Sequence, residues 1–210
     1  MKSDLTSNLL LATLSLKDQF FDTGATYRPT DESFNLACQY WQPPKLTYMN
    51  SGLNKYVTGV GVKLWDSSEA CGQCLEVING NKSVIVVIAD YCPPPCTPMQ
   101  LDLNPYASAA LNLHKTQPRN YPKLIAKKVS CHWSKALTFY LDKGSSVYNW
   151  YLIPLFLEKP LQSVSVLGKQ AYHDKYGRWV LAFKTKFPTC GKQIDIYVDK
   201  KFNTKIYFNC

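Results

Sequence analysis

Apolar and polar positions divide this chain into two textures. In the first, short apolar runs stand between turn-rich loops. Val84 to Ala89 is a continuous apolar run of strand length, the pattern of a strand covered on both faces. Tyr56 to Trp65 (YVTGVGVKLW) alternates small and apolar residues, predicting a strand whose glycines mark close packing. Ser67 to Gly72 reads as a turn and Cys74 to Ile78 as a strand. Asn79-Gly80 predicts a hairpin into the Val84 to Ala89 run. Leu101-Asp102-Leu103 is followed by Asn104-Pro105 and a small-residue segment, a helix-start pattern. Leu124 to Cys131 is the last strand of this half.

From Lys135 the texture changes to strict alternation with Gly, Pro and Lys at the bends. The segments are ALTFYLD, YNWYLIPLFLE, LQSVSVLG, GRWVLAFKTKF, IDIYVDK and TKIYFNC. Period-2 patterning of this kind predicts a small antiparallel sandwich. Pro154 inside its run predicts an edge strand or a bulge. The chain therefore reads as all-β, with a leader over 1–17, a first domain over 18–134 and a second over 135–210, almost without a linker. The leader's apolar patch, Leu9 to Leu16, is far too short to span a bilayer and makes a poor signal peptide by itself.

Composition sharpens this. Eight cysteines in 210 residues argue for disulfides and an oxidising compartment. Cys71-x2-Cys74 and Cys92-x3-Cys96 also have zinc-like spacing, but a zinc site would leave Cys38, Cys131, Cys190 and Cys210 unexplained. Cys190 and Cys210 are the only cysteines after Cys131 and are expected to pair; the connectivity of the other six stays open. Asn81-Lys82-Ser83 is an N-glycosylation sequon in a polar turn, usable only by a secreted chain. The net charge of +9 is uneven. Up to Lys135 there are 13 basic and 10 acidic residues, a balance of +3; beyond it, 11 and 5 give +6. Such a basic half attracts polyanions, but no RNA-binding or helix-turn-helix signature accompanies it. His114, His132 and His173 are scattered with no metal spacing, and no cofactor motif is present.

Candidate chemistry centres on Ala89 to Ala110. Asp90 and Asp102 bracket a Pro/Cys loop, and Asp102 stands between two leucines just before a helix start. Capping of that helix is the competing role for Asp102. In the second half, Trp150 and Tyr151 point to opposite faces of one strand, so one of them is outside. Trp179, at a hairpin exit, is expected in the core.

Gly24-Ala25-Thr26-Tyr27, Ala37-Cys38, Ala70 to Val77, Val86 to Pro93 and Leu101-Asp102-Leu103 together resemble the expansin pattern. So do Gly144-Ser145-Ser146, Trp150 and Gly177-Arg178-Trp179 later in the chain. The resemblance runs from about Thr23 to Cys210 and is nearer to compact microbial and expansin-like proteins than to land-plant forms. The plant-type His-Phe-Asp is Gln100-Leu101-Asp102 here. It implies a six-stranded double-psi β-barrel followed by an immunoglobulin-like β-sandwich that binds carbohydrate. It also implies an extracellular monomer that loosens cell-wall polysaccharide without hydrolysis. Its partners would be cellulose and matrix glycans; the basic charge fits acidic polysaccharide or simple solubility equally, and no nucleic acid, membrane span, metal or cofactor is expected. By the same resemblance Asp102 is the working acid and Thr26, Tyr27, Asp90 and Tyr91 line its groove. Trp150 and Phe187, with Tyr148 or Asn149, form an aromatic platform.

Glycoside hydrolysis normally needs two carboxylates flanking the bond. After Thr26-Tyr27 the next acids, Asp31 and Glu32, lie in a polar loop, which leaves Asp90 as the only partner near Asp102 in sequence. Neighbouring acids of this groove also occur in the non-hydrolytic expansins, so the resemblance favours a non-hydrolytic role. The alternatives are a glycan-cleaving enzyme on the same barrel, an endoglucanase or peptidoglycan lytic transglycosylase, and a non-catalytic defence or interaction protein.

Overall fold

The computed structural model describes residues 20–27, 37–38, 56–113, 121–132, 137–142, 144–146, 148–155, 157, 159–183 and 193–207. Within the first half six strands close on themselves: β1 (Phe21–Tyr27), β2 (Val57–Val60), β3 (Cys74–Asn79), β4 (Lys82–Tyr91), β5 (Leu101–Leu103) and β6 (Tyr121–Val129). Their order round the barrel is β1-β5-β2-β4-β3-β6. The pairs β1·β5 and β2·β4 are parallel and the rest antiparallel. Closure leaves no edge strand to be protected.

Period-2 patterning explains why these segments close. Leu101 and Leu103 are fully buried on either side of half-buried Asp102. Leu75, Val77, Val86, Leu124 and Ala126 fill the same core. Burying each leucine contributes about 2 kcal/mol. The Tyr56 to Trp65 strand is shorter than its alternation predicts. It ends at Val60, and Val62–Trp65 turns into a single helical turn, α1. The cause is a tertiary contact: Gly61 donates its N–H to Gln100 O and Lys63 N to Pro98 O, so the loop before β5 bends the backbone out of the sheet. A Cβ on Gly61 would overlap the Thr97 carbonyl oxygen, which is the close approach its glycine content predicts. The β3–β4 hairpin forms one residue later than Asn79-Gly80 suggests. Asn79 pairs with Lys82, so the loop is Gly80-Asn81, with Gly80 at φ +58°. Helix α2 (Pro105–Ala110) begins where Asn104-Pro105 predicts.

The second half forms two four-stranded sheets, β10-β9-β13-β14 and β11-β12-β8-β7. Their strands are β7 (Thr138–Leu141), β8 (Asn149–Leu155), β9 (Val164–Val166), β10 (Lys169–Gln170), β11 (Tyr172–His173), β12 (Trp179–Ala182), β13 (Gln193–Val198) and β14 (Lys201–Tyr207). Trp150, Leu152, Val164, Trp179, Leu181 and Ile196 fill the space between them. Pro154 lies in an interior strand, not an edge strand. β12 pairs with β8 only over Asn149 to Leu152, so at Pro154 the strand has a neighbour on one side alone, across at Phe139. A missing amide donor is therefore tolerated there.

The two halves pack directly on one another. Ile153 is fully buried in the barrel's core cluster. Ser68 Oγ donates to Asp174 O at 2.9 Å. The turn after β11 rests on the Cys71 sulfur, where a Cβ on Gly177 would come within 2.8 Å of Sγ. A cavity of about 360 Å³ lies along this seam, lined in part by Glu69, Leu157, Leu161, His173 and Trp179. His173, half-buried against the Trp179 ring, has its pKa lowered by burial, against the opposing pull of Asp174 and Glu69.

Three disulfides, Cys38–Cys71, Cys74–Cys131 and Cys92–Cys96, occupy all six cysteines of the barrel half. The zinc reading of their spacing falls with them, and among the described residues no cluster of metal-ligating side chains forms. The leader, Asp31, Glu32, Phe187, Cys190 and Cys210 lie outside the described residues. Among the described residues no helix is long and apolar enough to cross a membrane.

Candidate functional site: an acidic furrow across four barrel strands

The register of four neighbouring strands places Thr26, Asp102, Gly59 and Asp90 in one row. Thr26 pairs with Asp102 across β1·β5, Asp102 with Gly59 across β2·β5, and Gly59 with Asp90 across β2·β4. Directly paired positions share a face of the sheet. Since Leu101 and Leu103 point into the barrel, Asp102 and its row point outward. Gly59, itself buried, gives the row no side chain at its centre, and the gap this leaves between the two acids is the furrow. Two strand spacings put their backbones about 10 Å apart.

The two carboxylates are used differently. The Thr26 hydroxyl donates to Asp102 Oδ1 at 2.8 Å, a shorter and charged acceptor than Leu101 O at 3.3 Å. Asp90 Oδ1 instead accepts from two backbone amides, Ala37 N at 2.7 Å and Tyr91 N at 2.9 Å. A bulge causes this. Thr58 pairs with Ile88 but Gly59 with Asp90, so Ala89 is the extra residue. Its carbonyl accepts from Cys38 N, and the next side chain turns to the same segment. Asp90 thus anchors the disulfide-held 37–38 turn to β4. Asp102 does not cap α2: the side chain of Asn104 accepts from Ala107 N at 2.9 Å and does that work.

The rim of the furrow is fixed by the Pro/Cys loop. Cys92–Cys96 closes it, Gln100 Oε1 accepts from Thr97 N, and the Thr23 hydroxyl donates to Met99 O at 2.6 Å. Gln100 is buried in this role. Tyr91 turns away from Asp90's side of the strand and meets Trp65 at 5.5 Å between ring centroids. Tyr27 holds its place in β1 opposite Leu103, but its side chain lies outside the described residues, as does all of Phe187.

The predicted aromatic platform is corrected at its centre. Trp150 is 2% exposed and lies inside the sandwich, edge-on to Phe183 at 4.9 Å. The alternation left two choices, and the sheet's packing selects the other one. Trp150 shares a face with core Leu152, so Tyr151 lies on the opposite face with Ile153, which the barrel covers. Tyr148, just before β8, is 48% exposed. The rings that sequence reasoning missed are Tyr172, 60% exposed, and Tyr176. Tyr172 pairs with Val180, and Val180 with Tyr151, so these share the outer face. The Arg178 guanidinium lies 4.4 Å from the Tyr151 ring centroid and 5.1 Å from that of Tyr176, held by Asp174 at 2.7 Å. Strand β11 is only two residues long, too short for a period to show.

A closed six-stranded barrel with two parallel pairs, an outward acid beside a threonine, and a two-sheet sandwich on its flank together define a double-psi barrel plus sandwich protein. The chain is similar to expansins and expansin-like proteins. It is 26% identical over 172 residues to Expansin-like protein 2 of Dictyostelium discoideum, covering 73% of this chain and 42% of that protein. It is 31% identical over 138 residues to putative expansin-B2 of Arabidopsis thaliana, covering 58% and 47%. The chain thus spans about half the length of the curated relatives it matches. Its fold matches the crystal structure of apo expansin from Clavibacter michiganensis with a TM-score of 0.67 at 18% identity, over 86% of this chain and 85% of that one. A mutant of that protein in complex with cellohexaose matches equally well. No family model matches the chain.

Proposed function

We propose that this chain is a secreted protein that binds cell-wall polysaccharide, cellulose or a matrix glucan, and loosens it without hydrolysis. The observation that carries the reading is the unequal use of the two furrow acids. A displacement at a glycosidic bond needs both carboxylates turned to the sugar. Asp90 Oδ1 is committed to the amides of Ala37 and Tyr91, while Asp102, steadied by Thr26, faces outward beside Gly59. One such acid can hold a sugar hydroxyl or glycosidic oxygen and compete with the hydrogen bonds between glucan chains. The bacterial expansin neighbour solved with cellohexaose supports a glucan as the ligand.

In this reading the sandwich supplies grip through Tyr172 and Tyr176, with Tyr148 at the end of the sheet; an exposed ring binds a pyranose through its apolar face. The basic second half adds affinity for acidic matrix glycans. The three disulfides fit an extracellular setting. The test is a paired binding and sugar-release assay on cellulose, xylan, pectin and peptidoglycan, with wild type and Asp102→Ala. The expected result is binding to a glucan and mechanical weakening of a cellulose network that Asp102→Ala loses, with no soluble sugar released. Sugar release abolished by Asp102→Ala would replace this reading with an enzyme.

A further inference from the structure

The tip of the β3–β4 hairpin carries Asn81-Lys82-Ser83, the only Asn-x-Ser/Thr sequence with a non-proline centre among the 210 residues. All three residues are exposed. The tip stands clear of the rest of the molecule: a Cβ built on Gly80 would meet nothing within 4 Å. The turn is nonetheless firmly set. Asn79 pairs with Lys82 and Ile78 with Ser83, and the Asn79 amide donates to Leu111 O at 2.9 Å, tying the hairpin base to the end of α2.

We propose that Asn81 is an N-glycosylation site, carrying one asparagine-linked oligosaccharide. The proposal rests on the chain being secreted, as in the function above. The sugar comes from a lipid-linked oligosaccharyl diphosphate, supplied with its transferase by the secretory pathway. Asn81 Nδ2 bonds to the anomeric carbon, the bond from that carbon to the diphosphate oxygen breaks, the lipid diphosphate departs with the electron pair, and Nδ2 gives up one proton. The Ser83 hydroxyl is the sequon's required partner two residues on. The folded structure adds what the sequence cannot: the modified position is compatible with the furrow. Asp90 lies at the far end of β4, nine residues from Asn81, about 30 Å at strand rise. The glycan would crown the end of the barrel opposite the acidic row and leave the polysaccharide path open.

The 210-residue chain, directed by a heterologous leader into a eukaryotic secretory host, is measured by intact mass before and after peptide-N-glycosidase. The expected result is one heterogeneous increment that the glycosidase removes, converting Asn81 to Asp. It is absent from Asn81→Gln and Ser83→Ala and retained in Ser83→Thr. Cellulose binding by Asn81→Gln is expected to equal wild type. Secreted protein of unmodified mass, or an increment that survives in Asn81→Gln, overturns the proposal. Glycosylated protein that binds no polysaccharide would leave the site standing and defeat the function, so the two failures are separable.

Discussion

The Thr26 hydroxyl donates to Asp102 Oδ1 at 2.8 Å across a parallel strand pair. It joins the first strand of the barrel to the fifth through side chains as well as backbone, and it sets the direction in which the carboxylate points. Removing the carboxylate charge with Asp102→Asn is expected to abolish loosening while leaving the melting temperature within a few degrees. Thr26→Val removes a hydrogen bond to a charged acceptor, about 2 kcal/mol, and is expected to reduce loosening roughly ten- to thirty-fold. Thr26→Ser should keep most of it. Loss of tensile strength in a cellulose sheet, measured beside thermal melting, separates the variants. Full loosening by Asp102→Asn would remove the acid from the mechanism.

Trp150 and Tyr172 are expected to behave in opposite ways. Trp150→Ala empties a core position and should cost about 3–5 kcal/mol, read as a fall in melting temperature. Tyr172→Ala takes away an exposed ring and should leave stability unchanged while cellulose pull-down weakens several-fold. A Tyr172→Ala protein that binds as wild type would exclude that ring from the platform.

Gly177 has φ +76°, and a side chain there would meet the Cys71 sulfur. Gly177→Ala therefore combines a strained backbone with an overpacked seam, a cost of about 1–3 kcal/mol. Calorimetry should show the loss, with the sandwich melting earlier than the barrel. An unchanged single transition would mean that the seam contributes little.

His173 makes stability depend on pH in a definite direction. Its folded-state pKa lies below the ordinary 6.5 because burial penalises the charged form. The unfolded chain then binds the proton more readily, so stability is full above about pH 6.5 and falls as pH drops through and below that value. His173→Phe should flatten this slope when denaturant midpoints are compared between pH 7.5 and pH 5. A slope of the same size in the variant would assign the dependence to other groups.

Much of this fold was legible because its strands obey simple periods. The Val84 to Ala89 run, the Asn104-Pro105 helix start and, over the described residues, the alternation after Lys135 became the elements they suggest. What escaped was decided by tertiary contact. The Gly61 amide bond to Gln100 O ends β2 early, which no local period encodes. The hairpin shifted by one residue because Asn79 pairs in the ladder and ties down α2. The two acids were visible as residues, but their division of labour depends on a bulge at Ala89 and on a turn fifty residues upstream. Resemblance picked Trp150 for the surface, yet that ring shares its face with core Leu152, so the packing of two sheets overruled it.

The close approach of Gly177 to the Cys38–Cys71 bridge joins the sandwich to the barrel without a linker. In the proposed function, a polymer held by the sandwich would present its next stretch to the furrow at a high local concentration, with no linker to be straightened first. In that function, a glucan that touches both surfaces would have to fit the spacing this seam sets between them.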